Sequence, residues 1–280
     1  MTTRRALIRR IEQALTPLYE SCEARSIARL CLSELGGVPL EALLSDPEAP
    51  IEIEGIDTVV ERLQAGEPVQ YVVGATEFLG RRFAVHKGVL IPRPETEELV
   101  YRVMARERLS RRLLDVGTGS GCIAATLALE LPDAEIFAAD ISDEALAVAA
   151  ENCRTLGARV TLRRADALRN LTERFPERFD AIVSNPPYVP ERDRAAMHLN
   201  VLQYEPAEAL FVPDDDPLLF YRAIARAGRQ LLLPGGRLHF EIYYKAGEAL
   251  RAMLQEEGYD VPDLFEDLNG KPRILCARLR

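Results

Sequence analysis

Arg111-Arg112-Leu113-Leu114-Asp115-Val116-Gly117-Thr118-Gly119-Ser120-Gly121-Cys122 is the stretch on which the fold turns. Its first half reads as a short apolar strand, its second half as a glycine-rich turn, and Ile123 to Leu131 beyond it as a helix. Glycines in such a turn accept positive φ and let a ligand come close to the backbone, while the start of the helix offers free N–H groups. A second strand, Ala134 to Ala139, ends in Asp140, nineteen residues after Gly121. An acid at about that distance is placed to accept hydrogen bonds from ribose hydroxyls. The spacing is Gly-x-Gly-x-Gly with Asp115 two residues before the first glycine, a departure from the Gly-x-Gly-x-x-Gly of dinucleotide sites. It favours S-adenosyl-L-methionine as the cofactor.

Outward from this stretch, strand and helix alternate. Strands are expected at 111 to 116, 134 to 139, 159 to 163, 179 to 184 and 236 to 242, and helices at 121 to 131, 143 to 156 and 217 to 232. Arg237 to Ile242 and Arg273 to Ala277 read as an antiparallel edge, with His239 as an ordinary side chain of it. The pattern describes an α/β doubly wound, Rossmann-like sheet whose ligands belong at the strand ends, near the switch point.

The strand from Phe179 to Val183 is halted by Ser184-Asn185-Pro186-Pro187-Tyr188, because two prolines cannot donate to a ladder. Asn185 then stands at a strand end with its backbone restricted by Pro186, and Tyr188 offers an aromatic face. An Asn side-chain oxygen, rigid main-chain carbonyls and a ring suit a planar group bearing NH2, such as a carboxamide or a nucleobase amine. Amino-group chemistry follows, with Asn185, Pro186, Pro187 and Tyr188 as the catalytic candidates.

With 280 residues, 48% of them hydrophobic and 28% charged, the chain has room for two domains of an ordinary globular protein. A net charge of −9 disfavours nonspecific attraction to a phosphate backbone, and no direct nucleic-acid binding is expected. No apolar run approaches membrane-spanning length, so no membrane association and a cytoplasmic location are expected. Cys22, Cys31, Cys122, Cys153 and Cys276 lack metal or disulfide spacing and read as reduced core residues. Asp214-Asp215-Asp216 are consecutive on a loop and do not suggest a metal site.

Three segments divide the chain. Residues 1–75 read as a small helical bundle and contain no chemistry. Its apolar positions are Leu7, Ile11, Ala14, Leu15 and Leu18, then Ile27, Leu30, Cys31 and Leu35 closed by Gly36-Gly37, with a short helix around Leu40 to Leu44 and a longer one from Ile56 to Leu63. Seven arginines stand there against twelve acids, a balance of −5, and a protein-docking surface is expected. Val69 to Gly74, Thr76 to Gly80 and Arg82 to Val85 read as short β segments, so that 76–92 forms a β-hairpin linker. Residues 93–280 form the catalytic domain, opened by a helix with acids in its first turn, Glu95-Thr96-Glu97-Glu98. Within it, 189 to 216 is expected to be a long polar loop bordering the substrate.

Taken together, the glycine-rich turn and Asn185-Pro186-Pro187-Tyr188 resemble class I S-adenosylmethionine-dependent methyltransferases that modify planar amino nitrogens. Gly66-Glu67-Pro68-Val69-Gln70-Tyr71, Leu90-Ile91-Pro92-Arg93-Pro94-Glu95-Thr96-Glu97, Tyr204-Glu205-Pro206 and Gly270-Lys271-Pro272-Arg273 extend the resemblance to the HemK (PrmC) family of peptide chain release factor glutamine methyltransferases. The resemblance implies methyl transfer to the glutamine amide of the Gly-Gly-Gln motif of class I release factors; a monomer is expected. Cofactor binding is expected at Asp115, Gly117, Thr118, Gly119, Ser120, Gly121, Asp140, Asp166, Ala167 and Asn185. The resemblance puts Asp166 and Ala167 beside the adenine and the segment with Arg93 and Thr96 over the cofactor. Rival readings are a nucleic-acid adenine or cytosine amino-methyltransferase, a ribosomal-protein glutamine methyltransferase, and a binding module that kept the fold without catalysis.

Overall fold

The computed structural model describes residues 2–280 and divides the chain into two compact units. One contains the chain up to Ala75 together with His198–Tyr204; the other contains Thr76–Met197 and Glu205–Arg280.

The first unit is helical, with helices at Arg4–Leu15, Ser21–Gly36, Leu40–Ser45, Ile56–Gln64 and Val69–Val73. Leu7, Ile11 and Leu15 from the first helix meet Ala24, Ile27, Ala28, Cys31 and Leu32 from the second in a single core. Thr3 caps the first helix by accepting the Ala6 N–H, and Gly37, at φ 62°, closes the second. Leu18, Leu40 and Leu44 fall outside this core and are exposed. Val69 to Val73, expected in a strand, is a short helix. Pro68 fixes the entry, Gly74 at φ 75° closes it, and Val72 and Val73 enter the bundle core, so packing overrides the strand preference of valine. Tyr204 joins this unit through its hydroxyl, which donates to the Ala65 carbonyl at 3.0 Å.

An isolated hairpin, Ala75–Phe78 against Arg81–Ala84, starts on the last residue of the first unit's leading segment and otherwise belongs to the second unit. Its main sheet has seven strands: β1 Arg112–Val116, β2 Glu135–Asp140, β3 Val160–Arg164, β4 Phe179–Ser184, β5 Leu232–Glu241, β6 Asp263–Glu266 and β7 Pro272–Arg278. They lie in the order β6-β7-β5-β4-β1-β2-β3, and only β7 runs against the rest. Strands covered on both faces must be apolar on both faces, which explains the apolar runs Leu113-Leu114, Ile136 to Ala139 and Ala181 to Val183. Leu114, Val116, Phe137, Ala139 and Ile182 pack towards helices Leu219–Leu231 and Gly247–Glu256. Leu113, Ile136, Ala138, Ala181 and Val183 pack towards helices Pro94–Arg106 and Cys122–Glu130. Each fully buried Leu, Ile or Phe contributes roughly 1.5–3 kcal/mol, so these two layers hold the strand ends in fixed register.

The order reverses between β1 and β4, which makes their carboxyl ends the switch point. Val116 lies opposite Ser184 and Ala139, and Ser184 lies opposite Phe240. The residues that follow, Asp140, Gly117, Asn185 and Glu241, therefore leave the sheet in one row. The Ser184 hydroxyl pins this row by donating to the Val116 carbonyl at 2.6 Å.

The segment 189–216 is not structureless. It contains a strand pair, Val189–Pro190 with Phe211–Val212, two 3-10 turns at Glu191–Ala196 and Ala207–Ala209, and helix Leu199–Tyr204. Leu210, Phe211 and Val212 are buried, which gives the loop an apolar anchor that its polar composition hid. Cys22 is exposed, unlike the other four cysteines, and all five are free thiols.

Candidate active site

The glycine turn is built for close approach. Gly117 and Gly119 have φ of 76° and 53°, and a Cβ on either would meet nothing within 4 Å. Gly121 serves packing: a Cβ there would lie 3.0 Å from that of Ala149, so the third glycine lets two helices touch. Thr118 donates to Asp115 Oδ2 at 2.7 Å, and the Gly119 N–H donates to Asp140 Oδ2 at 2.9 Å. Asp140 also accepts from the Ser142 N–H, 3.0 Å away.

Among the described residues, Asp115 Oδ1 and Ser120 Oγ are buried without a hydrogen-bond partner. Buried polar atoms are nearly always paired, so two orphans beside an open glycine cradle mark a place for a polar ligand. Burial lifts the Asp115 carboxyl to about 7, and Asp140 is raised for the same reason. A ligand carrying an amino group and hydroxyls would satisfy both orphans and favour both ionised carboxylates. S-Adenosylmethionine has those groups, and the residues present fit it.

Asp166 follows β3 and is partly buried. Its Oδ1 accepts from the Leu168 N–H at 2.8 Å, and Arg169 stands 3.4 Å from its Oδ2. Ala167 packs at the margin of the main core. Neither is joined to the glycine turn by a direct hydrogen bond among those described for it.

Across the switch point, Asn185 is anchored at one end. Its Nδ2 donates to Thr96 Oγ1 at 3.1 Å, and the Thr96 hydroxyl donates to Glu241 Oε2 at 2.6 Å. The Tyr188 hydroxyl donates to Glu241 Oε1 at 3.0 Å. Thr96 sits in the first turn of helix Pro94–Arg106, which a proline at the start preorganises. Burial pushes the Tyr188 phenol upward, and the adjacent Glu241 charge adds to that. The Tyr188 ring stacks on Tyr243, with centroids 6.2 Å apart. Pro186 is buried, while Asn185 and Pro187 are partly open.

A second buried acid closes the same region. Glu205 accepts from Arg93 at 2.6 Å and from the Ile91 N–H at 3.2 Å, tying Glu205 to Ile91-Pro92-Arg93. Asp214 accepts from the Arg192 N–H and Asp216 pairs with Arg222, so two of the three consecutive acids turn to different partners. His239 is no ordinary edge residue: it is wholly buried and 2.9 Å from Glu107.

Asn185 follows the carboxyl end of β4, as the proline stop implies, with Tyr188 further on; Glu241, which links them through Thr96, was not foreseen. The available signal was an acid inside the apolar run Leu238-His239-Phe240-Glu241-Ile242, at the carboxyl end of a strand.

Residues 6–74 match the PrmC N-terminal domain, and residues 95–210 match the Methyltransferase small domain. The release factor glutamine methyltransferase of Bacteroides thetaiotaomicron is 44% identical over 275 residues, covering 95% of this chain and 97% of its own length. That of Flavobacterium psychrophilum is 38% identical over 277 residues, 96% of each chain. Among solved structures, a methyltransferase from Pyrococcus furiosus aligns with a TM-score of 0.53 at 17% identity, over 72% of this chain and 90% of that one. The 16S rRNA N2 G1207 methyltransferase of T. Thermophilus, in complex with AdoMet and guanosine, aligns with a TM-score of 0.50 at 19% identity, over 74% of this chain and 50% of that one. These two share the fold with this chain.

Proposed function

The chain belongs to the family of release factor glutamine methyltransferases, and from that membership we propose how its residues carry out the reaction. It is a methyltransferase whose fold and family imply S-adenosyl-L-methionine as the cofactor. Its substrate is the side-chain amide nitrogen of glutamine in a release factor. More narrowly, we assign the glutamine to the Gly-Gly-Gln motif of class I release factors, and the working form to a monomer in the cytoplasm, where translation takes place.

When bound, the cofactor supplies an electrophilic methyl group. An amide nitrogen is a poor nucleophile because its lone pair is delocalised into the carbonyl, so the protein's task is mainly positioning. Asn185 Oδ1 and the Pro186 carbonyl accept the two amide hydrogens, and the Tyr188 ring borders the amide plane. Holding both hydrogens favours rehybridisation of the nitrogen as the new bond forms, and the released proton passes to solvent once the nitrogen is positively charged. Asp115, Ser120 and the Gly117 to Gly121 turn hold the cofactor's polar groups, with Asp140, Asp166 and Ala167 beside the nucleoside.

The observation that carries this reading is the tether of Asn185 Nδ2 to Thr96, which leaves Oδ1 as the acceptor at the switch point. We also assign docking of the protein substrate to the acidic helical segment 1–75, with 76–92 as the linker in sequence to the catalytic segment 93–280.

The test is transfer of labelled methyl to a purified release factor, beside its Gln→Ala version, ribosomal protein and duplex DNA. Label is expected on the intact factor alone; label only on ribosomal protein or DNA overturns the substrate. Asn185→Ala is expected to lower kcat about 10²–10³-fold while cofactor affinity changes little, and equal losses in both would count against its role. Charge reversal of acids in segment 1–75 is expected to raise KM for the factor and leave kcat; an unchanged KM removes the docking role.

A further inference from the structure

An asparagine amide alone does not specify which of its ends faces a ligand. Its oxygen and nitrogen exchange places by a half-turn about the last side-chain bond, and the two orientations present opposite chemistry. One offers an acceptor that suits an amide NH2; the other offers a donor that suits an amide oxygen or a carboxylate. Something else in the site has to choose.

Glu241 is in position to choose. It is 1% exposed, stands level with Asn185 at the sheet rim, and takes one hydroxyl on each carboxylate oxygen: Thr96 at 2.6 Å and Tyr188 at 3.0 Å. A hydroxyl has one hydrogen to give. Once Thr96 gives it to Glu241, the threonine oxygen has only lone pairs left for Asn185, which must answer with its NH2. Asn185 Oδ1 is then left pointing the other way. Two donors on two oxygens are the arrangement expected of an ionised, acceptor-only carboxylate, and the nearby positive charge of Arg273 favours that form. Burial works in the opposite direction and leaves the carboxyl above its ordinary range.

We infer that Glu241 is a positioning and specificity-determining residue which, through the single hydroxyl of Thr96, sets the Asn185 amide so that the site presents an acceptor and selects an amide nitrogen over an amide oxygen or a carboxylate. This rests on the glutamine reading given above. Glu241 itself touches no reacting atom. Its second oxygen holds Tyr188, so one buried charge orients both polar side chains of the motif.

The variants are Glu241→Gln, which keeps the shape but can donate as well as accept, Thr96→Val, which breaks the relay, and Thr96→Ser, which keeps it. Each is assayed for methyl transfer to a release factor, for cofactor affinity, and for inhibition by the same factor with glutamate in place of the acceptor glutamine. Glu241→Gln and Thr96→Val are expected to lower kcat by about ten- to a hundredfold, below the full loss of a directly contacting group. They are expected to leave cofactor affinity within about twofold and to bind the glutamate factor more tightly relative to the glutamine factor, with Thr96→Ser close to the parent. An unchanged ratio of glutamate to glutamine binding in Glu241→Gln overturns the inference, as does a Thr96→Ser variant as impaired as Thr96→Val.

A substrate-free measurement separates this failure from failure of the glutamine reading. The Asn185 side-chain NH2, followed by nitrogen-15 NMR in the full chain, is expected to exchange slowly with solvent in the parent and quickly in Glu241→Gln. Fast exchange in both sinks the orientation relay even if the release factor is methylated. Slow exchange lost in the variant, with no methylation of the factor by the parent, leaves the relay standing and overturns only the substrate.

Discussion

Two buried glutamates lie under the same helix and along the same face of β5, yet they do opposite things. Glu107 follows the end of helix Pro94–Arg106, and Glu241 receives the hydroxyl of Thr96 in that helix's first turn. Each is 1% exposed. Glu107 meets His239, two residues before Glu241 in the strand, at 2.9 Å, with Arg237 at 3.3 Å and Ser110 donating at 2.5 Å. Desolvation works to raise its pKa, but the hydrogen bond and charge of His239 outweigh it and hold Glu107 below the ordinary range. Glu241 has hydroxyl partners instead, and burial leaves it raised. A buried acid matched by cations is satisfied where it stands and transmits nothing. One held by hydroxyls passes the direction of its hydrogen bonds to whatever those hydroxyls touch.

The largest effect expected to sharpen this contrast comes from Glu107→Ala. It strands a buried histidine and should cost about 3–5 kcal/mol of stability in urea unfolding, while the folded fraction keeps its turnover. Loss of turnover without loss of stability would erase the distinction between the two acids.

The pH dependence comes next. Desolvation pulls His239 down, but the neighbouring Cys276 and Glu107 outweigh it and raise it from 6.5 to about 9. A raised histidine contributes its stability in full below its unfolded value and loses it as pH rises through the folded value. Glu107, held low, contributes above 4.5 and loses its share as pH falls through its own lower value. The pair therefore supports the fold best in mildly acidic to neutral solution, and stability should fall as pH rises from 6.5 to about 9. Unfolding curves across that range test it, and Glu107→Ala should flatten the slope.

The sequence carried the sheet and the turn because both depend on local signals. β-Branched and apolar runs marked β1, β2 and β4, glycines at fixed spacing marked the cradle, and Pro186-Pro187 marked where β4 must stop. Neither glutamate network was legible in that way. Thr96 and Glu241 are separated by 145 residues, and Glu107 and His239 by 132, so only the folded register brings them together. His239 read as an ordinary edge residue because nothing near it in sequence reveals a buried partner. Val69 to Val73 misled for a related reason: their side chains favour strands, but the bundle core needed them on a helix.

The smallest effect is expected from Tyr188→Phe, and it is the finest test of the contrast. The substitution keeps the ring that stacks on Tyr243 and removes one of the two hydroxyls on Glu241. If Glu241 acts by taking the Thr96 hydrogen, the relay to Asn185 survives with one oxygen of the carboxylate left short of a donor. The expected cost is about 1 kcal/mol of stability, the usual net value of one hydrogen bond or slightly more for a charged acceptor. Turnover should fall only a few-fold, because the Thr96 to Asn185 arm is untouched. The selection against a glutamate-bearing factor should persist, in contrast to Glu241→Gln. A Tyr188→Phe enzyme as impaired and as unselective as Glu241→Gln would mean that the phenol, rather than the Thr96 arm, carries the orientation. The two arms of Glu241 would then have to exchange roles, while Glu107, matched by cations at the other end of the helix, would keep its place in the comparison.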